Sequence, residues 1–312
     1  MAKIIVFGAN GFIGKHLTLS LAARPNDTVI AFDKFSEYRT GEGHEFDDHE
    51  NIVVVPGDFF NREDVRLALE GADYVFHLVS ATTPASSAND PFVDIDTNLR
   101  ATIELLELCV DAKIKRILFP SSGGTVYGDQ KNELINEEAL PRPQSPYGIV
   151  KLCIENYLRY FKYTHSLDYI VYRIANPYGP GQNIHGKQGV IPIFMHKAMS
   201  DEPLQIYGDG SMVRDYIYIS DLIDMITGSF TREHQFSEYN LGSGTGESIE
   251  EVVDAIEECT GLELRRDYTP SPASFVHKIV LDTQRFTSEF EIEPKISIKQ
   301  GMENTWKYVK RL

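Results

Sequence analysis

The first half of the chain alternates short β-branched segments with amphipathic segments, and this alternation constrains the fold more than any other feature. Strands that alternate with helices indicate parallel βαβ units, whose right-handed crossovers place helices on both faces of one sheet. The predicted strands are Lys3–Phe7, Thr28–Phe32, Ile52–Val55, Tyr74–His77, Arg116–Phe119 and Tyr169–Arg173. The predicted helices are Gly11–Ala23, Arg62–Leu69, Ile95–Ala112 and Tyr147–Thr164.

The sequence therefore predicts an α/β fold, a doubly wound parallel sheet of the Rossmann type with a smaller C-terminal lobe. The sheet domain would span residues 1–175, because the texture then changes to the Gly-, Pro- and Asn-rich segment NPYGPGQNIHGKQG. The smaller lobe would take up most of residues 176–312. A strand near 238–242 is predicted to return to the sheet, so the two parts would interleave. Chemistry is expected beyond the carboxyl ends of the strands.

Composition excludes several classes of partner. The chain has 312 residues and a net charge of −16, from 30 Lys plus Arg against 46 Asp plus Glu, so we predict no nucleic-acid partner and no membrane partner. No stretch approaches the roughly 18 apolar residues of a membrane span. Three cysteines without CxxC spacing indicate neither a disulfide framework nor a zinc site and favour the cytoplasm. The acidic segment HEFDDHE is interpreted as a solvated loop, so no metal site is predicted.

The segment GANGFIG directly follows the first predicted strand and begins a helix. Its glycines, Gly8, Gly11 and Gly14, allow a tight turn and a close approach of the backbone to a pyrophosphate on the helix N-terminus. The cofactor-binding prediction also includes Phe12 and Ile13 of the same segment. The spacing is GxxGxxG rather than the commoner GxGxxG, so a plain structural turn stays as an alternative.

The end of the second strand supports a dinucleotide site. Asp33 lies about 20 residues past the glycines, where a carboxylate accepts hydrogen bonds from a ribose diol. This favours NAD over NADP, although Lys34 beside it is a cation. Further cofactor-binding candidates follow the third strand, Asp58 and Phe59, and the fourth. The fourth strand contributes Leu78 and Ser80. Asp58 alternatively caps a turn.

Tyr147 and Lys151, in YGIVK, are four residues apart near the start of a predicted helix and share one face. An ammonium near a phenol stabilises the phenolate, so we expect Lys151 to lower the pKa of Tyr147 and make it a usable base. Taken alone, YxxxK spacing is common by chance, and a solvated pair would be the default interpretation. It follows the glycine turn and the serines at the end of the fifth strand, which favours a functional pair.

These motifs resemble the extended short-chain dehydrogenase/reductase family, in the branch of NAD-dependent nucleotide-sugar epimerases and dehydratases, and most of all its UDP-glucose 4-epimerase group. The resemblance covers nearly the full length. It is carried by GANGFIG, Asp33, HLVS, the Asn98 helix, SSGGTVYG, YGIVK, RIANPYGPGQ and YGDGSMVRDYIYISDL. It implies an NAD-binding domain followed by a sugar-nucleotide-binding lobe.

The resemblance also implies roles for single residues. Tyr147 becomes the catalytic base, Lys151 holds the nicotinamide ribose, and Asn98 organises the site from the neighbouring helix. Asn176 and Arg214 match positions that contact the diphosphate of the sugar nucleotide. An arginine fork suits phosphate oxygens, but Arg214 alternatively forms a surface pair with Asp215 or Asp221. Tyr207 matches the position that packs on the nucleotide base.

The stretch FPSSGGTVYG departs from the family. Most members carry Ser or Thr where this chain has Gly123, and that hydroxyl binds the reacting sugar hydroxyl. We hypothesise that Ser122 or Thr125 replaces it, with Ser121 or a water in the space left by the glycine as alternatives. Dehydratases carry an Asp-Glu pair where this chain has Gly124 and Thr125, so dehydration is not predicted.

The predicted function is therefore NAD-dependent C4 epimerisation of a nucleotide-diphosphate sugar, a UDP-hexose by preference, through a transient 4-keto sugar. The alternative is an NAD(P)H-dependent reductase of a dTDP- or UDP-4-keto-6-deoxy sugar, which needs the same Tyr147 and Lys151. A non-catalytic dinucleotide-sensing protein is a third hypothesis.

Two expectations concern the rest of the molecule. The late Arg-x-x-Asp-like stretch of such epimerases is missing from YTPSPASFVHKIVLD, so Arg266 or His277 is a candidate to replace it, and the nucleotide, uridine or thymidine, stays open. The resemblance also implies a homodimer through a four-helix seam formed by helices 95–112 and 147–164. Their apolar residues lie on more than one face and include Leu105, Leu106, Leu108, Leu152, Ile154, Tyr157 and Leu158.

Overall fold

The structure of the chain is a computed structural model that describes residues 1–36, 43–88, 90–186, 188–272 and 275–312. Its strands are β1 (Lys3–Phe7), β2 (Thr28–Asp33), β3 (Ile52–Pro56), β4 (Tyr74–His77), β5 (Arg116–Ser122), β6 (Asp168–Ile174), β7 (Asn176–Tyr178), β8 (Leu204–Tyr207), β9 (Val213–Arg214), β10 (Tyr216–Tyr218), β11 (Glu238–Leu241), β12 (Glu247–Ser248), β13 (Arg266–Thr269) and β14 (Lys278–Ile279).

The α-helices are α1 (Phe12–Ala22), α2 (Arg62–Ala68), α3 (Pro84–Ser87), α4 (Pro91–Val93), α5 (Arg100–Asp111), α6 (Gly123–Val126), α7 (Pro146–His165), α8 (Val190–Met199), α9 (Ile219–Ser229), α10 (Ile249–Thr260), α11 (Gln284–Phe290) and α12 (Ile298–Val309). A 3₁₀ turn covers Glu45–Asp48, within the acidic segment. The predicted helix 95–112 is in fact a π-helical segment, Asp94–Leu99, followed by α5.

Seven strands form one sheet in the order β3–β2–β1–β4–β5–β6–β11. The pairings of β1 with β2 and β4, of β2 with β3, and of β4 with β5 are parallel. The strand order reverses between β1 and β4, so the predicted doubly wound sheet is confirmed. In such sheets the crevice outside the carboxyl ends of the strands at this reversal is where ligands bind.

The central strands are buried on both faces, which explains their continuous apolar sequences. In β1, the side chains of Ile4, Ile5, Val6 and Phe7 are all 0% exposed. Helices α5 and α7 contribute Leu105, Leu106, Leu108, Ile154 and Leu158 to the hydrophobic core of this part of the chain. The apolar faces of both helices therefore cover the sheet, as an amphipathic pattern predicts.

The chain divides into two compact units. The first consists of residues 1–121, 146–172 and 229–238, and the second of residues 122–145, 173–228 and 239–312. The second unit contains three small sheets: β7 with β10, β9 between β12 and β14, and β8 with β13. Among the helices of the described ranges, none combines the length and apolarity that crossing a membrane requires.

Candidate active site

The turn between β1 and α1 has the geometry of a phosphate-binding turn. Gly8 has φ +87°, a left-handed conformation that favours glycine. A Cβ at Gly14 would lie 2.0 Å from the carbonyl oxygen of Gly8, so only glycine lets the helix approach the turn this closely. Gly11 caps α1 without a side-chain hydrogen bond, which leaves the first amide groups, at Phe12 and Ile13, directed away from the helix for an anion.

Asp33 ends β2 beside this turn. Its carboxylate accepts hydrogen bonds from the backbone amides of Asn10, at 3.0 Å, and Lys34, at 2.7 Å. The Lys34 ammonium lies 5.9 Å from the centroid of the Phe60 ring. A carboxylate held at the carboxyl end of the neighbouring strand suits a ribose diol. The glycine turn and Asp33 together therefore fit a dinucleotide.

The cofactor-binding candidates after β3 and β4 have different surroundings. Asp58 accepts a hydrogen bond from the amide of Phe60, so it takes part in a turn. The Phe59 side chain is buried and stacks on His77 at 5.0 Å, so only its backbone is open to a ligand. The backbone of Leu78 lies against Gly8, where a Cβ would come within 3.1 Å of it. Ser80 is exposed, and its hydroxyl donates to the carbonyl of Thr82.

Tyr147 and Lys151 lie one turn apart in the first turns of α7 and line one pocket. The Lys151 ammonium donates a hydrogen bond to the carbonyl of Pro120, at 3.0 Å, and lies 4.5 Å from the centroid of the Phe119 ring. Its distance to the centroid of the Tyr147 ring is 5.6 Å. The pocket is also lined by Val79, Ser80, Asp94, Asn98, Val150 and Ile154. All of these residues belong to the first unit.

The pKa of Tyr147 departs from the expectation. Burial raises the pKa of its phenol to about 12, against a hydrogen bond with Ser80 that lowers it, and the negative charge of Asp94 raises it further. Burial lowers the pKa of Lys151 to about 8, although the charges of Glu155 and Asp94 raise it. The expected net lowering of the tyrosine pKa is not found in this structure, because desolvation of the phenol is the largest effect on it.

Asn98 organises a buried polar network beside this pair. Its side-chain oxygen accepts from the amide of Ala81, at 2.8 Å, and its amide nitrogen donates to Thr82 and Asp94, both at 2.8 Å. Sequence reasoning missed Asp94, which is 0% exposed. The available signal was its position four residues before Asn98, which places both on one helical face.

The packing around Gly123, directly after β5, explains why this position carries a glycine. A Cβ at Gly123 would lie 2.5 Å from Cδ1 of Leu281 and 3.2 Å from the carbonyl oxygen of Arg173. The proposed water in the space left by this glycine is therefore wrong, because Leu281 fills that space. Ser122 is the N-cap residue of α6, but its side chain makes no capping hydrogen bond. The hydroxyl of Thr125 is buried and has no hydrogen-bond partner among the described residues.

Ser121 does not replace the missing hydroxyl. Its own hydroxyl is buried in the first unit and donates to the carboxylate of Glu155. Of the hydroxyls that were considered, Thr125 is the one that the structure leaves both buried and unpartnered.

The substrate-side candidates lie in the second unit. Arg214 donates to the carbonyls of Val213, Val276 and His277, at 2.8, 2.6 and 3.2 Å, and burial lowers the pKa of its guanidinium. In the described part of the chain no carboxylate forms an ion pair with Arg214. The alternative of a surface pair is therefore wrong: the Asp215 carboxylate accepts from Ser243, Gly244 and Leu281, and that of Asp221 from Lys295 and Ile296.

Asn176 and Tyr207 have different surroundings. The side-chain amide of Asn176 donates to the carbonyl of Asp215, at 2.8 Å. Tyr207 ends β8, is 38% exposed, and its ring centroid lies 5.5 Å from that of Phe275. An exposed aromatic pair of this kind offers a surface on which a nucleotide base can stack.

The two candidates to replace the missing Arg-x-x-Asp-like stretch, Arg266 and His277, have different surroundings. Arg266 is bound by the carboxylates of Glu250, Asp254 and Glu257, at 2.6, 2.6 and 2.9 Å, so its charge is already neutralised and that hypothesis is wrong. His277 lies 3.3 Å from the hydroxyl of Ser211.

No metal centre emerges from the described ranges, where no group of three or more His, Cys, Asp or Glu side chains could hold an ion. In the acidic segment, His44 and Asp47 form a capping box at the 3₁₀ turn. This part of the segment thus has a structural explanation.

Comparison with known proteins finds one matching family and similar enzymes. The model of the NAD dependent epimerase/dehydratase family matches residues 4–242. The dTDP-4-dehydro-6-deoxyglucose reductase of Escherichia coli is 29% identical over 316 residues, covering 98% of this chain and 97% of that protein.

Two solved structures are similar over 99% of each chain. The UDP-glucose 4-epimerase of Thermotoga maritima with UDP-glucose has a TM-score of 0.90 at 31% identity. The UDP-glucuronic acid 4-epimerase of Bacillus cereus with UDP-glucuronic acid and NAD has a TM-score of 0.90 at 26% identity.

Proposed function

This chain belongs to the NAD dependent epimerase/dehydratase family, and from that premise we propose that it is an NAD-dependent 4-epimerase of a nucleotide-diphosphate sugar, with a UDP-hexose as the preferred substrate. The observation that carries the proposal is the pocket shared by Tyr147 and Lys151. The same unit contains the reversal of strand order between β1 and β4. The glycine turn follows β1, one of these two strands.

NAD, when bound, would supply the hydride acceptor and donor that inversion at C4 requires. Gly11, Gly14 and the amides of Phe12 and Ile13 would hold its diphosphate, and Asp33 would hold its adenine ribose. Lys151 would hold the second ribose. Asp33 carries a negative charge that disfavours a 2′-phosphate, which supports NAD as the cofactor.

Tyr147 moves the proton that accompanies the hydride. Its phenolate oxygen takes the proton of the C4 hydroxyl as the 4-keto sugar forms, and returns it to the same oxygen when C4 is reduced. Because burial and Asp94 raise the pKa of Tyr147 to about 12, the phenolate needs stabilisation at neutral pH. The ammonium of Lys151 supplies it, together with the hydrogen bond to Ser80 that lowers the pKa of the phenol.

Residues of the second unit bind the substrate in this proposal. Arg214, which forms no ion pair with a carboxylate of the described residues, and the amide of Asn176 suit the diphosphate, and Tyr207 suits the base. Thr125 replaces the hydroxyl that Gly123 does not supply, because its buried hydroxyl has no partner among the described residues. Ser122 is the second candidate for that role.

Proton NMR of the purified protein with UDP- and dTDP-hexoses, without added redox cofactor, tests the proposal. We expect an isomer of unchanged mass that differs only at C4. Tyr147→Phe removes the proton-transferring oxygen and should lower kcat by about 10²- to 10⁴-fold, with an unchanged melting temperature.

A reductase is the second candidate, favoured by the similarity to the Escherichia coli enzyme. It would give no epimer, but would oxidise NAD(P)H when a 4-keto-6-deoxy sugar nucleotide is supplied. Binding of NAD without either reaction would instead support the dinucleotide-sensing hypothesis.

The chain also forms a homodimer in this proposal, through the four-helix seam of residues 95–112 and α7. Ile149, Tyr157 and Tyr160 form an apolar stripe on α7 and are 49%, 37% and 54% exposed. Exposed apolar stripes mark protein contacts.

We place the protein in the cytoplasm, because Cys109, Cys153 and Cys259 are free thiols.

A further inference from the structure

Asp94 is a fully buried carboxylate whose two oxygens have different surroundings. Oδ1 accepts hydrogen bonds from the hydroxyl of Thr82 and from the side-chain amide of Asn98. Oδ2 is buried and has no hydrogen-bond partner among the described residues. Leaving a buried polar atom unpaired is costly, and more so for a charged group, so an unpartnered carboxylate oxygen in a native fold calls for an explanation.

The position of Asp94 supplies one. Asp94 is one of the residues that line the pocket of Tyr147, Lys151 and Ser80. Its negative charge acts on both members of the pair, because it raises the pKa of the Tyr147 phenol and of the Lys151 ammonium. Asp94 therefore lies within electrostatic reach of the atoms that would bind the ligand.

We propose that Oδ2 of Asp94 accepts a hydrogen bond from a hydroxyl group of a ligand bound beside Tyr147 and Lys151. This inference rests on the proposed function, which brings two hydroxyl-bearing ligands to the pocket: the hexose of the substrate and a ribose of the cofactor. Both offer the same donor chemistry. Hydrogen bonds to a buried carboxylate are stronger than those between neutral groups, so the contact contributes substantially to affinity.

A purely structural role is the competing explanation. Through Oδ1, Asp94 holds Thr82 and Asn98, and Asn98 in turn binds the amide of Ala81. A structural role needs Oδ1 alone and makes no use of the second oxygen. The two explanations therefore differ in whether loss of Asp94 lowers ligand affinity or only stability.

Three variants separate the explanations. Asp94→Asn keeps the size of the side chain but removes its charge. Thr82→Val removes a hydrogen bond to Oδ1 and leaves Oδ2 intact. Asp96→Asn removes an exposed carboxylate from the same π-helical segment and serves as the matched control. Asp94→Ala, in which the hydrogen bond between Asn98 and Thr82 can remain, replaces Asp94→Asn if that variant does not fold.

The measurements are the affinity for NAD and the affinity of the NAD-loaded protein for UDP-glucose, both by calorimetry, together with the melting temperature. We expect Asp94→Asn to lower the affinity for one of the two ligands by about 10- to 100-fold. Thr82→Val should lower the melting temperature with little change in either affinity, and Asp96→Asn should change neither quantity.

The ligand that is affected identifies the hydroxyl. Weaker NAD binding assigns the contact to a ribose, and weaker UDP-glucose binding assigns it to the hexose. In the second case, deoxy analogues of UDP-glucose locate it, because removal of the contacting hydroxyl weakens binding to the wild type but not to Asp94→Asn.

Unchanged affinities in a folded Asp94→Asn variant would overturn the inference and leave the structural role. A wild-type protein that binds neither NAD nor UDP-glucose would overturn the proposed function itself, and this inference with it. The two failures are therefore distinguishable in the same experiment.

Discussion

At the scale of single residues, the chemistry of the candidate site depends on the space and the hydrogen-bonding groups that each side chain occupies or leaves open. Gly123 has no hydroxyl to offer, and Leu281 occupies the space where a side chain would lie. The two residues are 158 positions apart in the sequence, from 123 to 281. The glycine is thus matched to a leucine that is 0% exposed, and the substitution of one affects the packing of the other.

This match predicts the effect of restoring the hydroxyl. Gly123→Ser should lower the free energy of unfolding by about 1 to 3 kcal/mol, because the new Cβ overpacks the core against Leu281. Leu281→Ala should lower it by about 2 to 5 kcal/mol by leaving a cavity. The double variant should lose less than the sum, since each change relieves the other.

Urea denaturation measures all four proteins of this cycle. Gly124→Ser is the matched control, because a Cβ there meets only the hydroxyl oxygen of Ser122, at 3.9 Å. Its expected effect is within about 0.5 kcal/mol. Strict additivity of Gly123→Ser and Leu281→Ala would contradict the packing argument.

At the scale of elements, a partly buried ion cluster joins the starts of β5 and β6 to the segment after α9. Arg116, at the start of β5, donates to the carboxylate of Asp168 at 2.6 Å and to the carbonyls of Phe230 and Arg232. His234 lies 3.0 Å from the same carboxylate, and Lys162 of α7 lies 3.1 Å from its other oxygen. One carboxylate, on β6, therefore connects β5, α7 and the segment after α9 within the first unit.

The cluster predicts an acid-sensitive contribution to stability. Burial raises the pKa of Asp168, but hydrogen bonds from His234 and Arg116 and their charges lower it more, so it lies well below its usual range. A lowered pKa stabilises the fold above the unfolded value of about 3.9, and the contribution is lost as the pH falls through the folded value. Asp168→Asn should therefore lower the free energy of unfolding at pH 7, by about 2 kcal/mol or more.

Denaturation at pH 7 and again below pH 4 checks this prediction. The difference in the free energy of unfolding between the wild type and Asp168→Asn should become smaller at the lower pH. The reason is that Asp168 is then protonated in the unfolded chain and increasingly also in the folded protein. Glu63→Gln, which breaks an exposed pair with Arg66, should have little effect at either pH. A difference that is constant with pH would show that the charge of Asp168 is not responsible.

At the scale of the whole molecule, each unit carries a different part of the proposed function. The first unit contains the glycine turn, Asp33 and the pocket of Tyr147 and Lys151, whereas the second contains Arg214, Asn176 and Tyr207. The net charge of −16 is compatible with an anionic substrate, because Arg214 and helix N-termini act at short range while distant carboxylates are screened.

The homodimer is a prediction at this scale. Light scattering of the purified protein should give twice the mass of one chain at micromolar concentration. Ile149→Glu places a charge in the apolar stripe of α7 and should shift the mass toward that of the monomer. Leu67→Glu is the control, because Leu67 is 52% exposed on α2 and should leave the mass unchanged. A monomeric wild type would rule out the dimer.

The sequence by itself determined the sheet, its helices and the position of the glycine turn. Strand and helix periodicity is local, and so is the spacing that brings Tyr147 and Lys151 to one face of α7. The tertiary structure decided what depends on residues distant in the chain. Leu281 beside Gly123 and the three carboxylates around Arg266 are such cases, because folding brings these groups together and no local pattern records it.

The ionisation of Tyr147 and Lys151 is another feature that depends on residues distant in the chain. Spacing alone predicts that Lys151 lowers the pKa of Tyr147, whereas burial and the charge of Asp94 raise it. Desolvation depends on every element that excludes water from the phenol, and those elements come from separate parts of the first unit. The sequence thus determined that Tyr147 and Lys151 share one face of α7, and the packed structure added Asp94 to their pocket and decided the surroundings that shift their pKa values.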